Sequence, residues 1–329
     1  LKTVGIYGPN NAGKTCLVKC IRSAKKILLN QKPRIMPNIF QNSTVCQLGV
    51  TFLEEGREFS YDFWYDDKKG EYPYEKFAEI SKDQYGNEKE NIWLLKDIVN
   101  GDYQYDDEDL LKMISLVSQS NLLFYLVDAN KFDKLAEMKR IVTKFASRID
   151  IINMNNIPLK RTINLMKNQN NLQKKVVEFI KNSDLYMDDF EYVDMDKIRV
   201  KMDSDEEKPE EKALDIPEQI MDQIRLVSVY RGVPVPSVLF DSTGTKKIAA
   251  LASYIIEGIE QGRILVVDEL DSSIHFKLTR AIVAMFNNEL NTSAQMIFTV
   301  HDINLMDCKK MFRKEQIFLS TSNLGCLHA

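Results

Sequence analysis

The sequence has no long apolar run. Its most hydrophobic stretches, such as Leu122–Val127 and Ile264–Val267, are far too short to cross a bilayer. No secretory leader is visible either. Cysteine is sparse: Cys16, Cys20, Cys46, Cys308 and Cys326 form no CxxC pair. Cys16 and Cys20 stand four apart on one helical stretch, a spacing that reads as packing before metal binding. Together these absences point to a reduced, cytoplasmic protein without a membrane role. The chain also lacks a dense Lys/Arg tract, and its net charge is −4. Composition therefore does not call for nucleic acid, although a basic groove built from distant residues stays open. Internal repeats and coiled-coil heptads of useful length are missing as well. The sequence opens on Leu1 and not on Met, so we expect its true start to lie upstream.

The chain does have size. Its 329 residues are 44% hydrophobic, enough for one large domain or two. It also has one stretch around which the rest is organised, Gly8–Thr15, GPNNAGKT. This fits G-x-x-x-x-G-K-[ST] without a mismatch. A β-type run, Lys2–Tyr7, precedes it and a helical run, Thr15–Leu29, follows it. Strand, glycine loop and helix form the context of a phosphate cradle. Backbone N–H groups of Asn11–Thr15 can converge on a phosphate, and the helix start directs its positive dipole end at the same anion. Gly8 and Gly13 let the backbone turn without a Cβ. The expected nucleotide contacts are Asn10, Asn11, Ala12, Gly13, Lys14, Thr15 and Cys16. Lys14 reaches the β- and γ-phosphates, and the Thr15 hydroxyl ligates Mg²⁺.

After the first helix, Gln31–Asn42 reads as a loop. Val45–Leu53 and Glu58–Tyr65 read as strands joined by a turn at Glu54-Glu55-Gly56-Arg57. Ile92–Val99 and Asp109–Val117 have helical apolar spacing. Leu122–Val127 is a strand or a buried helical turn, which periodicity alone does not decide. Ala136–Ile149 and Arg161–Asn182 are amphipathic. Asp184–Pro217 is acidic around Ser204–Glu211 and reads as an exposed linker. From Gln223 onward strands alternate with helices: strands Arg225–Tyr230 and Val235–Phe240, helix Lys246–Glu260, strand Arg263–Val267, helix Phe276–Asn288, strand Gln295–Val300, helix Ile303–Phe312 and strand Gln316–Leu319. Such alternation argues for a parallel sheet covered on both faces. The expected organisation is an N-terminal part of an α/β head over 1–90, a helical insertion over 91–185, an acidic linker over 186–222 and the C-terminal part of the head over 223–329.

The C-terminal third supplies a second half to the site. Ile264-Leu265-Val266-Val267-Asp268-Glu269 is four apolar residues followed by two carboxylates, the Walker B pattern. Its strand carries Asp268 to the sheet edge where open α/β sheets bind ligands. Asp268 is expected to hold the Mg²⁺ shell, with Glu269 orienting the attacking water. Asp271 follows in Leu270-Asp271-Ser272-Ser273-Ile274-His275. The run Ile297-Phe298-Thr299-Val300 then delivers His301 to the same edge, as a switch histidine would be. Upstream, Asp241-Ser242-Thr243-Gly244-Thr245-Lys246-Lys247 opens a helix, and a helix N-terminus with Ser and Gly is a second anion site.

In this order GPNNAGKT, STGTKK, ILVVDELDSSIH and FTVHDINLMD resemble the ABC-type ATPases of the SMC-like and OLD-like branch. Most of all they resemble the small prokaryotic AAA-type ATPases of abortive-infection and RloA-type phage-defence loci. The match covers roughly residues 1–30 and 224–320, and Val300 stands where that group has Thr before the histidine. The resemblance implies an α/β P-loop ABC-ATPase head, with a mostly parallel central sheet, an antiparallel β portion and a helical insertion. It implies ATP and Mg²⁺ as cofactors. It gives Glu269 and His301 catalytic roles, Asp271 the D-loop role, and Ser242 and Gly244 the signature role across a head-to-tail pair of identical chains. Gln41 and Gln47 are both possible Q-loop residues. A separate nuclease-like or toxin-like effector is the implied partner.

Four rivals are weaker. The stretch between Thr15 and Ser242 is too long for a transporter nucleotide-binding subunit. Asn130-Lys131-Phe132-Asp133 matches a guanine-reading N-K-x-D, but no DxxG lies between it and the P-loop. A DNA-end clamp of the SMC-like kind needs long coiled-coil arms. A fused nuclease needs a further acidic domain after His301, where only Asp302–Ala329 follows, so we expect an ATPase without its own nuclease.

Overall fold

A computed structural model describes the chain except for residues 36, 38–42, 115, 169–170, 184–185, 194–216, 306–311, 321–326 and 329. The chain forms two compact units, one of Leu1–Thr15 with Asp150–Ala329 and one of Cys16–Ile149. Among the described residues no helix is long and apolar enough to cross a membrane.

The first unit is built on a six-stranded sheet of β1 (Thr3–Tyr7), β7 (Ile149–Asn153), β11 (Ile264–Asp268), β12 (Gln295–Thr299), β13 (Ile317–Ser320) and β14 (Leu327–His328), in the order β14-β13-β1-β12-β11-β7. β1 pairs in parallel with β12 and β13, and β11 with β12, while β14 runs antiparallel to β13. Val266 and Val267 point to opposite sides of β11 and are both fully buried, which explains the unbroken apolar run at Ile264–Val267. α9 (Thr243–Glu260) explains itself in the same way. Its Ile248, Leu251 and Ile255 join Leu265, Val267 and Phe298 in one core. Its Ala249, Ala252 and Ile256 join α5 (Lys160–Lys167) and α6 (Asn171–Asn182) in another, through Met166, Val176 and Ile180. A helix apolar on two sides is a buried helix. Each such large side chain contributes about 1.5–3 kcal/mol when fully buried.

A three-stranded antiparallel sheet of β8 (Asp189–Tyr192), β9 (Leu226–Tyr230) and β10 (Val233–Pro236), in the order β10-β9-β8, fixes the start of α9. Its hub is the buried Asp241, which accepts from Ser228 Oγ at 2.6 Å, Tyr230 OH at 2.8 Å and Ser237 Oγ at 2.5 Å. Burial, then the Asp241 carboxylate, pushes the Tyr230 phenol up to about 12. On β7, Asp150 is clamped by Arg263 Nε at 2.6 Å and Arg161 Nη1 at 2.8 Å. Burial raises its pKa, but the two guanidinium groups outweigh that and hold the carboxyl below its usual value.

The second unit is an antiparallel meander of β2 (Val45–Glu54), β3 (Arg57–Asp66), β4 (Glu71–Lys82), β5 (Glu88–Asp97) and β6 (Asp102–Gln104), with α2 (Glu108–Ile114), α3 (Leu123–Leu126) and α4 (Asp133–Ser147). The β2–β3 turn sits at Glu55 and Gly56, with φ of 54° and 76°, as a two-residue hairpin of matching twist requires. Phe59, Tyr61 and Phe63 are fully buried, the face read from the period-two pattern. The Glu75 carboxylate is also fully buried, and it accepts from Tyr61 OH at 2.7 Å and the Leu123 N–H at 3.0 Å.

Several local readings need correction. Ile92–Val99 is not a helix, because residues 88–97 form β5 against β4. The ladder slips there: Phe77 faces Leu94 and Ala78 faces Ile92, so Trp93 is bulged out of register. Trp93 and Leu94 are consequently buried together, and the broken alternation imitates helical spacing. Leu122–Val127 resolves into the short helical turn α3. Arg161–Asn182 holds two helices, α5 and α6. Val235–Phe240 is strand only to Pro236, after which α8 (Ser237–Phe240) begins; α7 (Glu218–Ile224) precedes β9. Within Ile303–Phe312 a 3₁₀ turn covers Ile303–Leu305, and 306–311 lie outside the described residues. The acidic stretch 204–211 lies outside them too, while Asp189–Tyr192, inside the expected linker, is a strand. Strands β4 and β7 carry no signal that the sequence reading caught.

Candidate functional site

The glycine loop joins β1 to α1 (Lys14–Leu28). Asn11 and Gly13 have φ of 65° and 89°, the left-handed turn on which the loop depends. Asn10 and Asn11 are exposed, and Ala12 is buried with its N–H on the Pro9 carbonyl at 3.3 Å. Lys14 is buried. Its ammonium donates to the Gly8 carbonyl at 2.6 Å and the Pro9 carbonyl at 3.0 Å, so it is folded over its own loop. Burial lowers the Lys14 pKa; Asp271, Asp268 and Glu269 act in the raising direction without cancelling it. Thr15 and Cys16 are exposed on the first turn of α1.

Thr15 and Asp268, far apart in sequence, meet at this edge: Thr15 Oγ1 stands 3.5 Å from Asp268 Oδ1. Asp268 ends β11 and is buried. Two further donors hold it, Thr299 Oγ1 at 2.7 Å on Oδ1 and Asn153 Nδ2 at 2.9 Å on Oδ2. Thr299 also accepts the Glu269 N–H at 2.8 Å. Glu269 has φ of 57°, a strained conformation for a residue with a Cβ. The Asn155 amide donates to Glu269 Oε2.

Asp271 accepts the backbone N–H of His301 at 2.8 Å and of Asp302 at 2.9 Å. The acidic loop after β11 and the turn after β12 are thus joined through backbone N–H groups. Ser242 caps α9: its Oγ accepts the Thr245 N–H at 3.1 Å. A Cβ on Gly244 would meet the Ser273 carbonyl at 2.8 Å, so the helix start is seated against the loop that carries Asp271.

The structure therefore brings together Lys14, Thr15, Asp268, Glu269, Asp271 and the His301 backbone. Ser242 bonds within its own turn. Gln47 lies exposed on β2 in the second unit, and Gln41 lies outside the described residues. Asn130–Asp133 lie in the second unit, on a 3₁₀ turn and the start of α4. Three partners were missed by sequence reading: Asn153, Asn155 and Thr299. Asn153 ends β7, a five-residue strand, and Asn155 follows it, so both depend on recognising that strand. Thr299 had a signal, as the one hydroxyl in an apolar strand entering the site.

Among curated proteins none matches the chain. Of solved structures, the SMC head domain from Thermotoga maritima is 13% identical, with 96% of this chain and 84% of that chain covered and a TM-score of 0.40. An Smc head bound to the C-winged helix domain of ScpA is 13% identical, with 99% and 90% covered and a TM-score of 0.48. An Smc head domain with an extended coiled coil, bound to the C-terminal domain of ScpA derived from Pyrococcus furiosus, is 12% identical, with 99% and 89% covered and a TM-score of 0.42. A family described as "AAA domain, putative AbiEii toxin, Type IV TA system" matches residues 4–307. That span takes in the glycine loop, the acidic end of β11 and His301, and the chain belongs to this family of AAA-domain P-loop ATPases.

Proposed function

We propose that the protein binds and hydrolyses ATP, pairs head-to-tail with a second copy around the nucleotide, and controls a separate effector in defence against phage. The observation that carries the ATPase reading is the meeting of Thr15 and Asp268, 3.5 Å apart, beside Lys14. A hydroxyl and a carboxylate converging at a phosphate loop form a donor set for Mg²⁺, which takes few protein ligands and completes its shell with water and phosphate oxygens. Thr15 and Asp268 would hold Mg²⁺ there, and its charge would be set against that of the phosphates. Lys14 exchanges its carbonyl partners for phosphate oxygens. The N–H groups of Asn11–Thr15, with Asn10 and Cys16 at the ends of the loop, line the nucleotide.

Glu269 orients the attacking water and accepts its proton, and His301 steadies the γ-phosphate from the neighbouring strand. Asn153 and Thr299 keep Asp268 aimed, since each donates a hydrogen bond to one of its two carboxylate oxygens. Ser242 and Gly244 of one copy close over the nucleotide held by the other, so ATP acts as part of the interface. The family description, with its toxin and type IV toxin–antitoxin terms, supports a partner effector.

The test is hydrolysis by the purified chain with Mg²⁺, with wild type compared to Glu269→Gln. Phosphate release by wild type and a nucleotide-loaded dimer of the variant in sedimentation are expected. Absence of hydrolysis by wild type, or faster turnover of GTP than ATP, refutes the ATPase reading. A variant that stays monomeric in saturating Mg·ATP refutes the pairing.

A further inference from the structure

Lys247 is buried, at 8% exposure, on the second turn of α9. Lysine is seldom found so deep without partners. Its Nζ lies 3.0 Å from Ser273 Oγ, 3.2 Å from Ser272 Oγ, 3.4 Å from the Ser272 carbonyl and 3.4 Å from Asn155 Oδ1. All four acceptors are neutral oxygens. An ammonium desolvated against neutral groups is a poor device for stability, since an apolar side chain of similar length avoids the desolvation cost.

The partners share another property. Ser272 Oγ donates to Asn155 Oδ1 at 2.7 Å, and Asn155 Nδ2 donates to Glu269 Oε2. An asparagine amide can present either end, and its network decides which. Ser272 cannot decide, because a hydroxyl both donates and accepts. Lys247 can, because an ammonium only donates. With Lys247 in place the Asn155 oxygen faces α9, and the NH₂ faces the Glu269 carboxylate. With the amide reversed, an oxygen would face that carboxylate.

We propose that Lys247 is a positioning residue for Glu269, which fixes the Asn155 amide and so ties the helix start that bears Ser242 and Gly244 to the carboxylate that orients water. Gly244 supports the tie from the other side, because the Ser273 carbonyl sits where its Cβ would be. This inference rests on the ATPase reading above.

The experiment is steady-state Mg·ATP hydrolysis by the full chain and three variants. Lys247→Met removes the donor at similar length. Its kcat should fall about 10-fold or more while KM for ATP stays within about 2-fold, because Glu269 acts on the chemical step. Lys247→Arg, again donor-only, should recover kcat to within about 3-fold of wild type. Asn155→Asp keeps an oxygen for Lys247 but sets a second carboxylate against Glu269. It should lose kcat as Lys247→Met does, and it answers the question if Lys247→Met does not melt cooperatively. Wild-type kcat in Asn155→Asp overturns the inference. So does a Lys247→Met defect confined to KM, or a kcat loss that Lys247→Arg does not repair. A wild-type chain that hydrolyses no ATP overturns the functional reading instead.

Discussion

Thr299 Oγ1 lies 2.7 Å from Asp268 Oδ1, one strand across from it in the sheet. The same oxygen takes the Glu269 N–H at 2.8 Å, so one hydroxyl spans both acidic residues. Thr299→Val keeps the shape and removes both bonds. It leaves a buried carboxylate short of a donor, worth about 1–3 kcal/mol, and a half-buried N–H without its acceptor. We expect a chemical denaturation midpoint lowered by at least one such increment and an ATPase kcat/KM lowered about 10-fold or more. Wild-type turnover in Thr299→Val would remove Thr299 from the machinery.

Lys14 gives a prediction in which stability and function part ways. Burial lowers its pKa below the ordinary 10.5, so between the two values the unfolded chain binds more protons than the folded one. Stability contributed by this group therefore rises with pH through that window and is lowest at neutral pH, where the buried ammonium is charged. Lys14→Met removes that cost and the proposed phosphate contact together. It should bind a fluorescent ATP analogue about 100-fold more weakly than wild type, yet melt no lower at pH 7. The gap between the two melting temperatures should narrow as pH rises toward 10. A variant that melts well below wild type at pH 7 would show that the two carbonyl contacts of Lys14 outweigh its desolvation.

Much of this site was legible because its motifs combine residue type with spacing. GPNNAGKT fixes a loop whose glycine must turn left-handed, and ILVVDE fixes a buried strand ending in charge. What stayed hidden depends on pairing between distant segments. Asn153 and Asn155 matter only because β7 lies beside β11, and nothing local in Ile149–Asn153 announces that neighbour. Lys247 looks like one more lysine until the Ser272–Ser273 turn folds over it. The same holds for β5, where the bulge at Trp93 erases the alternation that would have marked a strand. Backbone pairing decided these elements, and single-segment patterns do not carry that information.

Gly244 yields a third prediction. Gly244→Ala places a methyl 2.8 Å from the Ser273 carbonyl, closer than a Cβ contact allows. Either α9 or the acidic loop must move, and both carry proposed site residues. The chain should still fold, because the helix interior is unaffected, but ATP turnover should fall about 10-fold or more. A crystal structure of the variant, or hydrogen exchange across residues 268–275, would locate the shift. Unchanged exchange there, with unchanged turnover, would mean the contact relaxes without consequence.

The second unit has its own polar core, and its asymmetry can be measured. Glu75 is fully buried and Lys96 nearly so, with Lys96 Nζ 3.6 Å from Glu75 Oε2. Glu75 also holds Tyr61 OH and the N–H that opens α3, and its charge, after burial, keeps the Tyr61 phenol well above its usual pKa. Removing Lys96 leaves Glu75 with those two donors. Removing Glu75 strands an ammonium, a phenol and a backbone N–H at once. Glu75→Leu should therefore cost about 3–5 kcal/mol, the range for one partner of a buried pair left alone, and Lys96→Met clearly less. The double variant should recover much of the Glu75→Leu loss, because no buried charge then remains to be compensated. Hydrogen exchange of the β3, β4 and β5 amides reads this unit separately from the rest of the chain. Equal losses for the two single variants would show that the ion pair and not the donor count governs the unit's stability, and a double variant worse than Glu75→Leu would show that the two side chains contribute independently.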